Sequence, residues 1–410
     1  MLSQRIGLIG LALACANALY GQGAARVAAI AVSRFDSCAL TDSGAAYCWG
    51  GNGHLVLGQD SVAGQCKFGK DEGPCSLVPI PVEGHLRFRA ITVGWAHACA
   101  LTAAGKAYCW GNDVDGQLGA DSNALHCRPN GVLPCRSPLP VPVAGDISFR
   151  SISAGDLHTC GLTVDGQVLC WGANFMGQLG TDSAGAICPD GPCAVYPLPI
   201  RAGPTQRFVA VASGGIHTCA IAADSTLSCW GAENDVARGS PASTPDGLAL
   251  VRATLASLKF VAVSAGDLKT CATTVTSVTY CWGSFDVGSD MRMTLDTTRI
   301  TTASPITALT VGAEHVCVLG TDGGAFCWGE GSDGQLGIGG SHFFHKEGTN
   351  QPAAVGGDLK FSAIRAGTYH TCGITLDATL YCWGWSFAGQ VGDGTTSTRR
   401  KPVLVTIPSP

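Results

Sequence analysis

Two cysteines ten positions apart, with a histidine two places before the first, are the residues here whose types and spacing suggest chemistry. Residues 158–172 read HTCGLTVDGQVLCWG, and the same arrangement recurs along the chain. The pairs are Cys38 with Cys48, Cys99 with Cys109, Cys160 with Cys170, Cys219 with Cys229, Cys271 with Cys281, Cys317 with Cys327 and Cys372 with Cys382. His97, His158, His217, His315 and His370 share the position before the first cysteine, where the first and fifth copies have Asp36 and Lys269. Imidazole and thiolate are good zinc ligands. The distribution argues against a metal, because ligands must converge from a few elements and these are spread evenly, one set per copy. An oxidised cysteine is no thiolate ligand either. The expectation is therefore no metal and no cofactor, with the cysteines as disulfides and the histidines as packing or turn-stabilising residues.

The elements that must position these residues follow from the repeat. Each second cysteine is followed by Trp-Gly, and successive first cysteines lie 61, 61, 59, 52, 46 and 55 residues apart, a period that belongs to repeat architectures. In FRSISAGDLHTCGLTVDGQVLCWG, residues 149–153 read as a first strand, Gly155 opens a bend, and 158–163 read as a second strand. Val164-Asp165-Gly166 turns the chain into a third strand ending at Trp171. The cysteines are symmetric about Asp165, which puts them opposite each other across a hairpin, within disulfide reach. The turn needs a positive φ at its last position, and Gly44, Gly105, Gly166 and Gly323 stand there. Asp42, Asp165, Asp224, Asp322 and Asp377 sit in the same turns, where Asp is favoured for local hydrogen bonds. After Trp-Gly comes Gly-Gln-Leu-Gly at 116–119, 177–180 and 334–337, with Gly-Gln-Val-Gly at 389–392. A Pro-rich stretch such as 138–143 then suits an edge strand. Four short strands, seven times, describe an all-β propeller.

These motifs closely resemble the regulator of chromosome condensation repeat family, over about residues 25–407. The resemblance implies a single seven-bladed β-propeller of that type, and the seven copies agree. The Gly-Gln-Leu-Gly string departs most in units four and five, which have Val236-Ala237-Arg238-Gly239 and Val287-Gly288-Ser289. The chain begins inside a unit and ends with Pro402–Ile407, so both ends are expected to share one blade and clasp the ring. The seven tryptophans are expected as wedges between blades.

Composition bounds the environment. Charged residues are 13% of 410, the formal net charge is -5, and no basic footprint for nucleic acid is present. The start, MLSQRIGLIGLALACANALYGQG, has one charge at Arg5, a short apolar run and small residues, which reads as a signal peptide over 1–18. Ala12-Leu13-Ala14-Cys15 also resembles a lipobox, which would end the signal before Cys15 and make it a lipid anchor. No transmembrane segment is expected. Of 21 cysteines, Cys15 is the odd one, and the other twenty suit ten disulfides in an oxidising compartment. The expected location is extracellular, periplasmic or attached to the cell envelope.

Function is sought where the repeat is broken. Loops after units one, two and three carry further pairs, Cys66 with Cys75, Cys127 with Cys135 and Cys188 with Cys193. Equivalent position puts them on one rim, where pinned loops make a binding surface. A long loop after unit six holds His342, Phe343, Phe344 and His345, a candidate partner contact. No nucleophile elbow, phosphate loop or zinc-protease motif occurs, so no catalytic residue is assigned. The expectation is a monomeric, non-catalytic scaffold, not an enzyme, that binds an unidentified protein or an envelope polymer. Two alternatives stand beside it. One is an exchange factor for a small GTPase, as nuclear members of the resembled family are. The other is a propeller enzyme with carboxylates or histidines at the channel mouth.

Overall fold

Blade 3 shows how the repeat folds. Its inner strand Phe149–Ala154 pairs with His158–Thr163, that with Val168–Ala173, and that with the outer strand Val195–Arg201, all antiparallel. The computed structural model describes residues 24–409 except 69–70, 122–124, 126–134, 182–186, 189–190, 193–194, 204–205, 232–256, 287–290, 294–304 and 341–347. Seven such sheets form a ring, a β-propeller, with the inner strands around the axis. Blade 1 adds a fifth strand, because Gly64–Phe68 folds back on Asp71–Pro81. The described part of blade 4 contains three strands.

Each hairpin places its cysteines in register, as in Cys160 opposite Cys170. Disulfides join Cys38 to Cys48, Cys99 to Cys109, Cys160 to Cys170 and Cys219 to Cys229 in the first four blades. In the last three they join Cys271 to Cys281, Cys317 to Cys327 and Cys372 to Cys382. The Cα separations of all seven are 4.0–4.1 Å. That spacing is nearer the non-hydrogen-bonded class of cross-strand pairs, about 4.5 Å, than the wider class. Cys66 bonds Cys75 across the extra hairpin of blade 1, and Cys135 is also disulfide-bonded. Cys188 ends the short strand Ile187–Cys188, whereas Cys15, Cys127 and Cys193 lie outside the described residues.

The turn glycines do more than adopt a positive φ. Gly105 has φ of 78°, and its carbonyl accepts the Phe149 N–H of the next blade at 2.8 Å. A Cβ on Gly105 would lie 2.7 Å from the Phe149 carbonyl oxygen, so the next blade approaches too closely for any side chain. Ser225, Ser277 and Ala378 replace glycine at this turn position and keep the positive φ. Phe149 also begins a β-bulge, since Phe149 faces Thr163 while Ser151 faces Leu162. The same shift recurs at the start of all seven inner strands. It inserts one residue where the chain enters the ring.

The core lies between blades. Seven apolar clusters are found, one per seam, and the one between blades 2 and 3 is representative: Cys99, Cys109, Leu101 and Leu118 from one side, Phe149 and Trp171 from the other. Above the apolar layer runs a polar chain. His97 Nε2 lies 2.7 Å from Thr159 Oγ1 of the next blade, and that hydroxyl donates to the Gln117 carbonyl at 3.0 Å. Trp171 Nε1 donates to the same carbonyl at 2.9 Å. The seams after blades 6 and 7 repeat it through Gln335 and Gln390. His158 and His217 meet Thr218 and Thr270 likewise.

This pairing explains the exceptions in the histidine column. Asp36 faces a blade with Ala98 where the others have a hydroxyl, and Lys269 faces Val316. Histidine occurs only where the next blade supplies a Thr or Ser partner. The residues therefore pack, as expected, but across the seam and not within their own hairpin. The proton inventory also follows. Where the hydroxyl's only proton goes to the glutamine carbonyl, His Nε2 must be the donor to the hydroxyl oxygen. Nδ1 is then a bare lone pair, and in all five histidines it has no hydrogen-bond partner among the described residues.

Closure differs from the expected clasp. Blade 1 is built wholly from residues 27–81 and blade 7 wholly from 361–405, so the ends do not share a sheet. They meet as neighbours instead. Ala25 N donates to Ile407 O at 3.1 Å, Val27 N donates to Ala378 O at 3.0 Å, and Val27, Trp49, Ile374, Val405 and Ile407 share one cluster. Because the last seam carries through His370 and Ser37 the same chain as the seams after blades 2 and 6, a shared blade is not needed to close the ring.

Two measurements check these seams. Thr218→Val strands the buried His158 N–H and should cost about 1–3 kcal/mol in urea unfolding, most of it recovered by also making His158→Leu. Burial lowers His97, His158, His315 and His370 from 6.5 to about 3 and His217 to about 4. A depressed folded pKa gives stability that is complete above 6.5 and lost as pH falls from there toward 3. Asp113 and Asp156, raised by burial to about 7, act in the opposite sense between 3.8 and about 7, as do Asp36, Asp115, Asp267 and Asp333, which burial also raises. The urea midpoint of the wild type should therefore fall more between pH 6.5 and 4.5 than that of the His158→Leu, Thr218→Val variant, which lacks one of these imidazoles.

Candidate functional site

At one end of the ring the inner strands finish around a cavity of about 120 Å³ lined by all seven blades. The residue just past each inner strand is periodic, Ser33 in blade 1 and glycine at 94, 155, 214, 266, 312 and 367 in the others. Small residues are required because each turn abuts the next, and a Cβ at Gly155 would fall 2.3 Å from the Gly214 carbonyl oxygen. The following position is not periodic: Arg34, Trp95, Asp156, Gly215, Asp267, Ala313 and Thr368. This ring of seven residues of six types lies at the channel mouth, and the repeat does not dictate its chemistry.

Asp156 and Asp267 flank Gly215. Asp156 N donates to Gly215 O at 3.3 Å, and Gly215 N donates to Asp267 O at 3.1 Å. A Cβ on Gly215 would lie 2.4 Å from Asp267 Oδ1 and 3.1 Å from Asp156 Oδ2, so both carboxyl groups lean over the glycine. Burial, then the charge of Asp267, pushes Asp156 up to about 7 against the pull of Arg34. Burial also raises Asp267, opposed by Arg34 and Lys269. Such a pair can hold a cation or exchange a proton near neutrality. Among the described residues no group of three or more His, Cys, Asp and Glu is arranged to hold a metal ion.

Aromatic residues gather around Arg34. The Arg34 guanidinium lies 5.3 Å from the Phe35 ring and 5.8 Å from that of Tyr369. Trp385 contacts Phe35, Tyr369 and Phe387 with centroids 5.9, 5.3 and 5.0 Å apart. Trp95 packs on His54 at 5.4 Å, and its Nε1–H is buried without a partner among the described residues. Antiparallel pairing brings the loops after each Trp-Gly to this same end. There Phe175, Met176 and Phe387 are 57%, 42% and 52% exposed. The disulfide-pinned hairpin at 64–75 leaves the third strand of blade 1 at this end as well.

The expected contact residues His342, Phe343, Phe344 and His345 lie outside the described residues. Sequence reading missed Arg34, Trp95, Asp156 and Asp267, although the signal was present: they occupy a column of the repeat with no preferred residue. Phe175 and Phe387 share a second such column, four places after the blade tryptophan. A carboxyl titration by NMR checks the electrostatics. Asp267→Asn should lower the Asp156 pKa, and Arg34→Gln should raise it.

Models of the regulator of chromosome condensation (RCC1) repeat match residues 27–54, 88–221 and 306–390, partly overlapping one another. Over 390 residues the chain is 26% identical to the ultraviolet-B receptor UVR8 of Arabidopsis thaliana, covering 93% of this chain and 82% of the receptor. Over 374 residues it is 28% identical to the E3 ubiquitin-protein ligase HERC2 of Homo sapiens, covering 88% of this chain and 7% of the ligase. The chain thus spans a small fraction of HERC2. Among solved structures, Prp20p of Saccharomyces cerevisiae superposes with a TM-score of 0.69 at 18% identity, covering 90% of this chain and 87% of that one. Human WBSCR16 gives 0.68 at 19%, covering 88% and 94%. At these identities the structures establish the fold.

Proposed function

Because the chain belongs to the regulator of chromosome condensation (RCC1) repeat family, we propose that it is an exported, non-catalytic propeller that binds a protein or envelope polymer at the channel-mouth face. One observation carries the reading: Phe175, Met176 and Phe387 are exposed on that face, from which the disulfide-pinned hairpin of blade 1 also projects, on a ring with a disulfide in every blade. Large apolar groups held by a rigid frame lose little entropy on binding, which favours recognition. Fold relatives lend general support. Prp20p is described by its binding to Gsp1p and histones, and yeast RCC1 has been crystallised with Kap60. Cysteines paired in every blade favour an oxidising compartment, in keeping with a signal over 1–18 or a lipid anchor at Cys15. No helix among the described residues is long and apolar enough to cross a membrane.

A catalytic reading is kept for one reason, since a carboxyl pair does stand at a channel mouth. Arg34 beside the pair and the absence of a motif nucleophile make binding the better account. Exchange activity on a small GTPase has only the family likeness behind it.

Affinity capture from culture and envelope fractions tests the proposal. Full-length protein should retain a specific partner, and Phe175→Ser with Phe387→Ser should lose it while keeping the wild-type melting temperature. Retention by the double variant would refute the face assignment. Non-reduced intact mass should show residues 1–18 removed, or Cys15 lipidated as the first residue. Hydrolysis of a glycoside or ester panel abolished by Asp156→Asn would instead favour catalysis.

A further inference from the structure

We propose that the channel-mouth face recognises a basic protein segment, one of whose Lys or Arg side chains enters the mouth beside Asp156 and Asp267. This rests on the binding reading above and adds the partner's chemistry.

The two ends of the ring differ in charge. The seven turns between inner and second strands carry the acids Asp156, Asp267 and Glu314 and the base Arg34. The described loops that follow Trp-Gly, at 51–58, 112–120, 173–180, 330–340 and 385–394, add Asp113, Asp115, Glu330, Asp333 and Asp393 and no Lys or Arg. From the outer strand of blade 7, Arg399 reaches Asp393 at 2.5 Å and Arg400 donates to the Ser332 carbonyl at 3.1 Å beside Asp333, while in the blade 1 hairpin Lys67 lies 3.8 Å from Glu72. Acids at the opposite end are matched more fully. Lys106 pairs with Asp146 at 2.8 Å, Lys259 with Asp224 at 3.5 Å and Lys360 with Asp322 at 2.8 Å. Among the described residues the excess of acid over base thus gathers at the mouth end. Charge complementarity then selects a cationic partner, steering its approach and rejecting acidic ones.

The mouth is shaped for one cationic head. Gly215 leaves the space over which both carboxyl groups lean, so the glycine is what keeps the pocket open. Aromatic rings border the site, and Arg34 already shows that a guanidinium is accommodated against Phe35 and Tyr369. Trp95 supplies an independent indication. It lines the same cavity, and its Nε1–H, shielded from solvent, has no acceptor among the described residues; a partner's backbone carbonyl completes it once the indole turns toward an entering segment. A lone metal ion would not satisfy that donor, whereas a peptide brings a cation and a carbonyl together. Phe175, Met176 and Phe387 would then hold the flanking apolar residues.

Burial raises both aspartates, so an entering cation should draw protons from them, and affinity should rise with pH through about 7. Labelled decalysine and decaglutamate, titrated by fluorescence anisotropy onto the full-length oxidised protein at low salt, test the idea. Decalysine should bind and decaglutamate should not. Asp156→Asn with Asp267→Asn should weaken decalysine at least tenfold. Asp224→Asn with Asp322→Asn, equal in charge but at the other end, should change it less than twofold. Arg34→Gln should tighten binding, which a merely unfolded variant would not do. Equal loss from both Asn pairs, or decaglutamate binding as well as decalysine, would overturn the inference. A captured partner that needs Phe175 and Phe387 but ignores Asp156 and Asp267 would also overturn it, while leaving the scaffold reading intact.

Discussion

At three seams one backbone carbonyl organises the packing of neighbouring blades. In the Gly-Gln-Leu-Gly loops at Gln117 and Gln335 and the Gly-Gln-Val-Gly loop at Gln390 it accepts from a hydroxyl and an indole of the following blade, and the hydroxyl in turn accepts from a histidine of the loop's own blade. Two side chains of one blade thus meet at one carbonyl oxygen away from water, and a histidine of the other blade joins through the hydroxyl. A polar network that is paired is specific, because any displacement strands a buried donor at a cost of about 1–3 kcal/mol. The surrounding residue choices follow from it. Glycine at 119 is needed because a Cβ would lie 2.6 Å from the indole nitrogen of Trp171. Glycine at 172 is needed because a Cβ would lie 2.6 Å from the Leu157 carbonyl oxygen.

The disulfides and the apolar clusters stand on either side of that network and do different work. Each seam cluster sets one blade's cystine or apolar face against the next blade's Phe or Trp, so cystine here is partly a core side chain. Cross-linking the hairpin restricts the unfolded chain, while the seam contacts hold neighbouring blades together. Blades of a repeat protein contact only their neighbours. Stability therefore resides in the seams, which explains why Asp36 with Ala98 and Lys269 with Val316 changed together: both sides of a seam must agree.

A scaffold stapled in this way frees two columns of the repeat from structural duty. Those columns hold Arg34, Trp95, Asp156 and Asp267 at the axis and Phe175 and Phe387 farther out, all at the same end of the ring. The chemistry is mixed, with paired acids, one guanidinium and exposed rings, and it has no sevenfold symmetry. Recognition by such a face depends on which blade carries which residue, so closely similar rings can present unrelated surfaces.

Residue types and spacing alone determined the blade count, the strand order within a blade, the cysteine register and the buried tryptophans. All of these are local and repeated seven times, so each copy corroborates the others. Gly166 named its turn because a positive φ is a property of a single residue. What the histidines touch was not legible, since Thr159 lies 62 residues from His97 and becomes its neighbour only when two blades pack. The inner-strand bulge and the closure of the ring without a shared blade were hidden for the same reason. So was the convergence of Asp156 and Asp267, which stand 111 positions apart in the chain and meet over Gly215. Periodicity reports on contacts that recur within one unit; contacts across a seam or around the axis exist only once the ring has closed.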